Sequence, residues 1–195
     1  MKEAIRMIVV LTFFCGLSAV TLAGLKDATG NRIEEQVLTY VQGPAIEHVL
    51  GGFDNSPVKD RKKITIPGTK QQVTVFPAIK DGRLVAIALE TSSKGFGGDV
   101  GVMVGFNMDG NNLSGIGITT MKETPGIGAR VAGHGFTNQF RNHPFSVELK
   151  SKGGNVDAIA GATISSTASV EAVKKAINIF GSIQPQLKTA WKQGS

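Results

Sequence analysis

One cysteine, Cys15, excludes a disulfide framework and any cluster of thiolate metal ligands. The three histidines, His48, His134 and His143, are scattered with no two at metal-ligand spacing, so no metal site is expected and all three are expected at the surface. Aromatic residues make up 6% of the chain, and its formal net charge of +6 is spread rather than gathered. The densest basic run, Lys59 to Lys63, is interrupted by Asp60; it reads as a solvated loop, with a membrane headgroup contact as the alternative, and not as a nucleic-acid interface. No Gly-x-Gly-x-x-Gly follows a strand pattern and no Gly-x-Ser-x-Gly elbow is present, which excludes a Rossmann dinucleotide site and a serine hydrolase and leaves no catalytic residue to assign.

What the chain does have is an uncharged run after Arg6 that reaches Leu25, about as long as a bilayer-spanning helix needs. Lys2 and Arg6 precede it, which keeps the N-terminus in the cytoplasm and exports the remainder. The expected organisation is a short cytoplasmic segment at 1–6, a single transmembrane anchor at 7–25 and one extracytoplasmic domain at 26–195, in the inner or cytoplasmic membrane. A cleaved signal peptide, with Thr21-Leu22-Ala23 as an imperfect processing site, is the rival reading. Cys15 is not a lipoprotein cysteine, because bulky Phe13 and Phe14 precede it; it reads as a lipid- or partner-facing thiol.

Beyond the anchor, Ile33 to Leu50 carries an amphipathic helical pattern, broken near Gly43-Pro44. Two hairpin units follow: Val73 to Ile79 turning through Asp81-Gly82 into Leu84 to Leu89, and Val100 to Met108 turning through Asp109-Gly110 into Leu113 to Thr120. The second is rich in glycine (Gly101, Gly105, Gly115, Gly117), which lets a flat ligand or another backbone lie close. A short helix is expected at Phe136 to Arg141, a strand at Phe145 to Leu149, a helix after Thr163 and a second one near Gln184 to Lys192. The fold class is α+β, built on antiparallel hairpins with C-terminal helices.

The most informative stretch is Asp157-Ala158-Ile159-Ala160-Gly161-Ala162-Thr163-Ile164-Ser165-Ser166. An apolar approach leads to Gly161, and Val170, Val173, Ile177 and Phe180 then recur at helical spacing, so Thr163 falls just before a helix. The first turn of a helix offers unpaired N–H groups and the positive end of the dipole, and a glycine-containing approach admits a phosphate to the backbone. Local chemistry alone leaves a second reading open, in which Ser165, Ser166 or Thr167 is simply the N-cap. Some forty residues upstream lies Lys122-Glu123-Thr124-Pro125-Gly126-Ile127-Gly128, a stiff, tight loop able to bring N–H groups against a flat ligand, or else an ordinary turn. Between the hairpins, Gly95-Phe96-Gly97-Gly98 forms a flexible loop with one aromatic.

These two motifs, in this order and spacing, resemble those of the FMN-binding domain family. In that family an aspartate, then Ser or Thr, Gly and Ala precede a threonine to which FMN is esterified through its phosphate. Asp157, Gly161, Ala162 and Thr163 match, Ala160 departs from the usual Ser or Thr, and Ile127 replaces the commoner Leu of the Glu-Thr-Pro-Gly-Leu-Gly loop. The resemblance implies covalent FMN on Thr163, with Asp157, Gly161, Ala162, Ser165, Ser166, Glu123, Thr124, Gly126, Ile127, Gly128 and Phe96 around it, Phe96 stacking near the flavin. Glu123, if near the ring, would disfavour added negative charge on it, while N–H donors from Gly126 or Gly128 would favour it. The short architecture is similar to the G subunits of Rnf complexes, which pass electrons between ferredoxin and NAD; the related C subunits of sodium-pumping NADH:quinone oxidoreductases are typically longer. That similarity implies an electron-relay role, other membrane subunits as partners and a flavin transferase during maturation. The competing reading is a membrane-anchored binding or assembly module without a redox cofactor.

A reporter fused after Ser195 is expected to be active only outside the cytoplasm, with the first residues retained on the membrane-bound protein. A cytoplasmic signal contradicts the topology, and a soluble form beginning near Gly24 establishes cleavage instead.

Overall fold

The computed structural model describes residues 2–191 and divides the chain into two compact units, Met1–Tyr40 and Val41–Ser195. The first unit holds the whole of helix α1 (Lys2–Gln36). Its span Lys2–Gly30 contains an 18-residue stretch with a mean hydropathy of 2.3, none of it buried, so it is long and apolar enough to cross a membrane. The expected break at Gly43-Pro44 is not a break. The chain passes from α1 through a π-helical segment, Val37–Gln42, into helix α2 (Gly43–Leu50), where Pro44 sits in the first turn and its missing N–H costs nothing. The side chains of Ile33 and Val41 in that pattern lie outside the described residues.

The second unit is built on a five-stranded antiparallel sheet in sequence order: β1 (Lys62–Thr65), β2 (Gln72–Lys80), β3 (Arg83–Lys94), β4 (Asp99–Asn107) and β5 (Leu113–Thr120). Four of these are the strands legible in the sequence. The β2–β3 turn is the two-residue kind whose twist suits a hairpin, with Asp81 and Gly82 at φ 49° and 71° between paired Lys80 and Arg83. β1 corrects the reading of the basic run as a loop, since Lys62 and Lys63 pair with Val75 and Thr74. Only Ile64 of the four is buried, so a periodicity this short is hidden by its lysines, which also blunt an exposed sheet edge. Lys62 lies 5.1 Å from the centre of the Trp191 ring and donates to the Ala190 carbonyl. Pro77 is tolerated in β2 because β1 ends its pairing at Val75; beyond it Asn55 covers the edge, accepting from the Ile79 N–H at 2.8 Å and donating to the Pro77 carbonyl.

The sheet is covered on both faces, and β4 shows how. Val100, Val102, Val104 and Phe106 face helix α4 (Thr163–Ala190), where Phe106 stacks on Phe180 with centroids 4.4 Å apart and Phe145 meets both rings edge-on. Each fully buried aromatic or aliphatic side chain here contributes roughly 1.5–3 kcal/mol. On the opposite face the strand glycines meet α2: a methyl on Gly105 would lie 2.3 Å from Val49 Cγ1 and 3.2 Å from the Val49 carbonyl, and one on Gly117 would lie 3.2 Å from Ala45 Cβ. The glycines therefore admit another backbone, that of α2.

Three further expectations are corrected. The C-terminal helices are one: α4 continues through Pro185, because Ile183 and Leu187 beside it are fully buried and their burial outweighs the ~3 kcal/mol cost of an interior proline. Lys192 lies outside the described residues. Phe145 to Leu149 is no strand; it runs extended, held by isolated bridges at Asn112–Pro144 and Leu149–Val156, and its apolar residues fill the core rather than pair. The short helix expected at Phe136 to Arg141 is present, as one α-turn, α3 (His134–Thr137), continued by a 3-10 turn, Asn138–Phe140. Not all three histidines are superficial. His143 is buried, with its Nδ1 2.6 Å from the Pro144 carbonyl, and His48 is half-buried 5.3 Å from the His134 ring, where burial, Arg141 and His134 hold it below the usual imidazole range.

Gly105→Ala is expected to push Val49 off the sheet and lower stability by about 1–3 kcal/mol in denaturant unfolding. Gly181→Ala, in α4 with no atom near its added methyl, is expected to be neutral or stabilising by up to about 1 kcal/mol. Equal effects would mean that the glycine floor under α2 is not a packing constraint.

Candidate functional site

Helix α4 begins at Thr163, so Thr163 is its first helical residue, while Ser165, Ser166 and Thr167 lie within the first turns. This overturns the N-cap reading. Ala162 occupies the N-cap with no side-chain cap hydrogen bond, leaving the amides of the first turn without a side-chain partner. The approach is a turn closed by the Ala162 N–H donating to the Ile159 carbonyl at 2.9 Å, and Gly161 takes φ 77°, which only glycine adopts without strain. Thr163 is exposed, and Ala162 is buried.

The Glu123–Gly128 loop meets this helix end. A cavity of about 440 Å³ is lined by Phe96, Glu123, Thr124, Ile127, Gly128, Gly161, Ala162, Thr163, Ile164 and Ser165. The two sequence motifs and the Phe96 loop thus share one site. Its rim is apolar: Phe96, Ile127 and Ile164 are 72%, 50% and 54% exposed, an unusual display for large apolar side chains from three separate segments around one hollow. Its floor is the start of a 28-residue helix, with the partial positive charge of the dipole.

Glu123 is not a free charge in the cavity. It is buried, its Oε1 accepts from the N–H groups of Phe96 (2.9 Å) and Gly97 (3.2 Å), and its Oε2 accepts from the Ser165 hydroxyl at 2.6 Å. The Thr124 carbonyl accepts from the Ile127 and Ala129 N–H groups, each at 3.2 Å, which closes the loop. Gly126 has φ 75° and stands outside the cavity lining.

Two other expected residues also stand apart. Asp157 is exposed and pairs with Lys150 at 2.7 Å, its backbone bracketed by the Gln139 side chain. Ser166 is fully buried, its hydroxyl accepting from the Ile159 N–H at 3.0 Å, so it braces the Gly161 turn from behind. Ile164 is the lining residue that sequence reasoning missed. As an apolar residue at the head of a helix it gives no signal until the pocket is seen.

The residues fit FMN: apolar walls suit a flat ring, and an uncapped helix start beside an exposed hydroxyl suits a phosphate. Residues 95–178 match the family described as the FMN-binding domain. The G subunit of an ion-translocating oxidoreductase complex from Methanosarcina acetivorans is 36% identical over 179 residues, covering 91% of this chain and 94% of that protein. The G subunit of the proton-translocating ferredoxin:NAD(+) oxidoreductase complex of Clostridium ljungdahlii is 30% identical over 160 residues, covering 72% and 85%. The chain belongs to this family of G subunits of ion-translocating oxidoreductase complexes. In fold it is also similar to the crystal structure of the C subunit of the Na(+)-translocating NADH-quinone reductase from Parabacteroides distasonis, with a TM-score of 0.57 over 84% of this chain and 96% of that one at 20% identity.

Two glycines of the loop are expected to fail differently. The Cβ of Gly126→Val meets no atom within 4 Å and its main cost is the left-handed backbone, about 1–3 kcal/mol, whereas a side chain on Gly128 starts 2.7 Å from Glu123 Oε2 and 2.8 Å from Ser165 Oγ and wedges the pair apart. Denaturant midpoints are expected to fall further for Gly128→Val; the reverse order contradicts the packing described.

Proposed function

We propose that this protein is an electron-relay subunit of a membrane-bound, Rnf-type ion-translocating oxidoreductase working between ferredoxin and NAD, and that it carries FMN as a phosphoester on Thr163. Membership of the G-subunit family supports the first part, and the ferredoxin:NAD(+) activity in the name of the Clostridium relative supports the redox couple. The single apolar helix, with Lys2 and Arg6 before its uncharged run, supports one membrane anchor and an extracytoplasmic flavin domain. The expected partners are the other membrane subunits of the complex and, during maturation, a flavin transferase.

The observation that carries the attachment site is the placement of the Thr163 hydroxyl, exposed at the head of α4 on the cavity shared with the Glu123–Gly128 loop. Of the two serines beside it on α4, Ser165 donates to Glu123 and Ser166 accepts from Ile159. Bound FMN supplies the electron-transfer chemistry. Thr163 Oγ1 would hold the FMN phosphate as an ester, its proton and the leaving group of the flavin donor being released in the step that the flavin transferase catalyses. The first-turn amides and helix dipole would favour the phosphodiester anion, and Phe96, Ile127 and Ile164 would give the ring apolar walls. The tether keeps the cofactor at high effective concentration where free flavin would be diluted away.

Made beside a working flavin transferase, the protein is expected to exceed its sequence mass by FMN less one water, with the whole increment on a fragment spanning Asp157 to Lys174. Thr163→Ala is expected to abolish the fluorescent flavin band on a denaturing gel, Thr163→Ser to retain a reduced band, and Thr167→Ala to retain a full one. Flavin on Ser165 or Ser166, or its persistence in Thr163→Ala, overturns the assignment. A wild type without flavin favours the binding-module reading.

A further inference from the structure

Glu123 is surrounded in a way that its place in a loop motif does not explain. Both carboxylate oxygens are turned to donors of the protein itself, two backbone amides of the Gly95–Gly98 loop and one hydroxyl on the first turn of α4. Three glycines make room for this arrangement. A methyl on Gly95 would lie 2.2 Å from Glu123 Oε1, one on Gly128 2.7 Å from Oε2, and one on Gly97 2.0 Å from the Lys122 carbonyl. Gly95, Gly97 and Gly128 all lack the left-handed backbone that would otherwise call for glycine, so close approach is what they provide. The Gly95 N–H also donates to the Gly98 carbonyl at 2.8 Å, closing the loop on itself.

We infer that Glu123 is a positioning residue for flavin attachment: it latches the Phe96 loop to the first turn of α4, so that the apolar wall and the Thr163 hydroxyl are set on one cavity before the flavin nucleotide arrives. The inference rests on the reading of Thr163 as the acceptor. Its physical basis is directional. Oε1 fixes the backbone at Phe96 and Gly97, Oε2 fixes Ser165 two residues after Thr163, and a buried carboxylate satisfied by three donors holds its place more firmly than a neutral acceptor. Phe96 is 72% exposed, so packing does little to hold its loop and the latch does most of it.

A latch and a charge acting on the flavin make opposite demands on the glutamine variant. In Glu123→Gln the amide oxygen can still accept from the Phe96 and Gly97 N–H groups while the amide nitrogen donates to Ser165, whose hydroxyl accepts as readily as it donates. Glu123→Asp keeps the charge and falls one methylene short. The experiment times the growth of the covalent flavin band on full-length protein produced beside a flavin transferase. In parallel, amide hydrogen exchange is followed on the same variants without flavin. For Glu123→Gln, attachment is expected within about threefold of wild type with the Phe96 and Gly97 amides still protected. Glu123→Asp and Glu123→Ala are expected to slow attachment on the order of tenfold to a hundredfold, the range a small misplacement of reacting groups produces, and to lose protection at those two amides while Val104 and Val173 stay protected. Gly97→Ala, which disturbs the loop without touching the carboxylate, is expected to behave as Glu123→Ala does and carries the test if that variant does not fold. The inference is overturned if glutamine is as slow as alanine while aspartate is normal, or if every variant attaches flavin at the wild-type rate. Absence of flavin from the wild type would instead sink the acceptor assignment, and the exchange data, which need no flavin, would still decide whether the latch exists.

Discussion

Strand β4 is buried on both faces, and the rest of the domain is arranged around that demand. Its valines and Phe106 need a long apolar partner, which α4 supplies, and the faces between them have room only for the close backbone of α2. Once α4 is committed to β3 and β4 along its length, where its first turn lies is no longer adjustable. The pocket is therefore built at a helix end whose direction is fixed by core packing some turns away, which is how a site gains geometric definition without a rigid loop to make it.

The site combines two tendencies that usually oppose each other. Its walls display apolar surface that a monomeric domain would be expected to bury, and its floor is a helix start with amides left uncapped. Each is a small cost to the domain, and on the proposed placement of FMN a flat ring with a phosphate at one end would offset both. Ser165, the third residue of the helix, is turned to Glu123, and the first-turn amides keep no side-chain cap.

Much of this was legible in the sequence, for reasons that can be named residue by residue. The strands with clear alternation and Asp-Gly turns were readable because period and turn chemistry are local, and the helix after Thr163 because its apolar spacing is long. β1 was not readable, since a four-residue edge strand of two lysines, one isoleucine and one threonine carries almost no alternation. The separate helix expected near Gln184 is instead the tail of α4, because the burial of Ile183 and Leu187 that carries the helix through Pro185 depends on the packed core and not on local sequence. At the site, the motifs marked Thr163, Glu123 and Phe96 as members, but not how they are joined. Which oxygen meets which donor is a product of the fold. Asp157 and Ser166 show the converse, that neighbours of Thr163 in sequence can stand apart from the cavity it lines.

The contact between Lys62 on β1 and Trp191 at the end of α4 has an optical consequence. Trp191 is the only tryptophan, with its indole N–H 3.4 Å from the Asp60 carbonyl, so the protein's tryptophan emission reports a single locality, the seam where the tail of the long helix meets the edge of the sheet. On the proposed placement of FMN at Thr163, fluorescence there and flavin fluorescence at the other end of α4 would be two separate lamps on one helix, one lit by the fold and one by the cofactor, and fraying at the tail would be told from disturbance at the head by which of them changes colour.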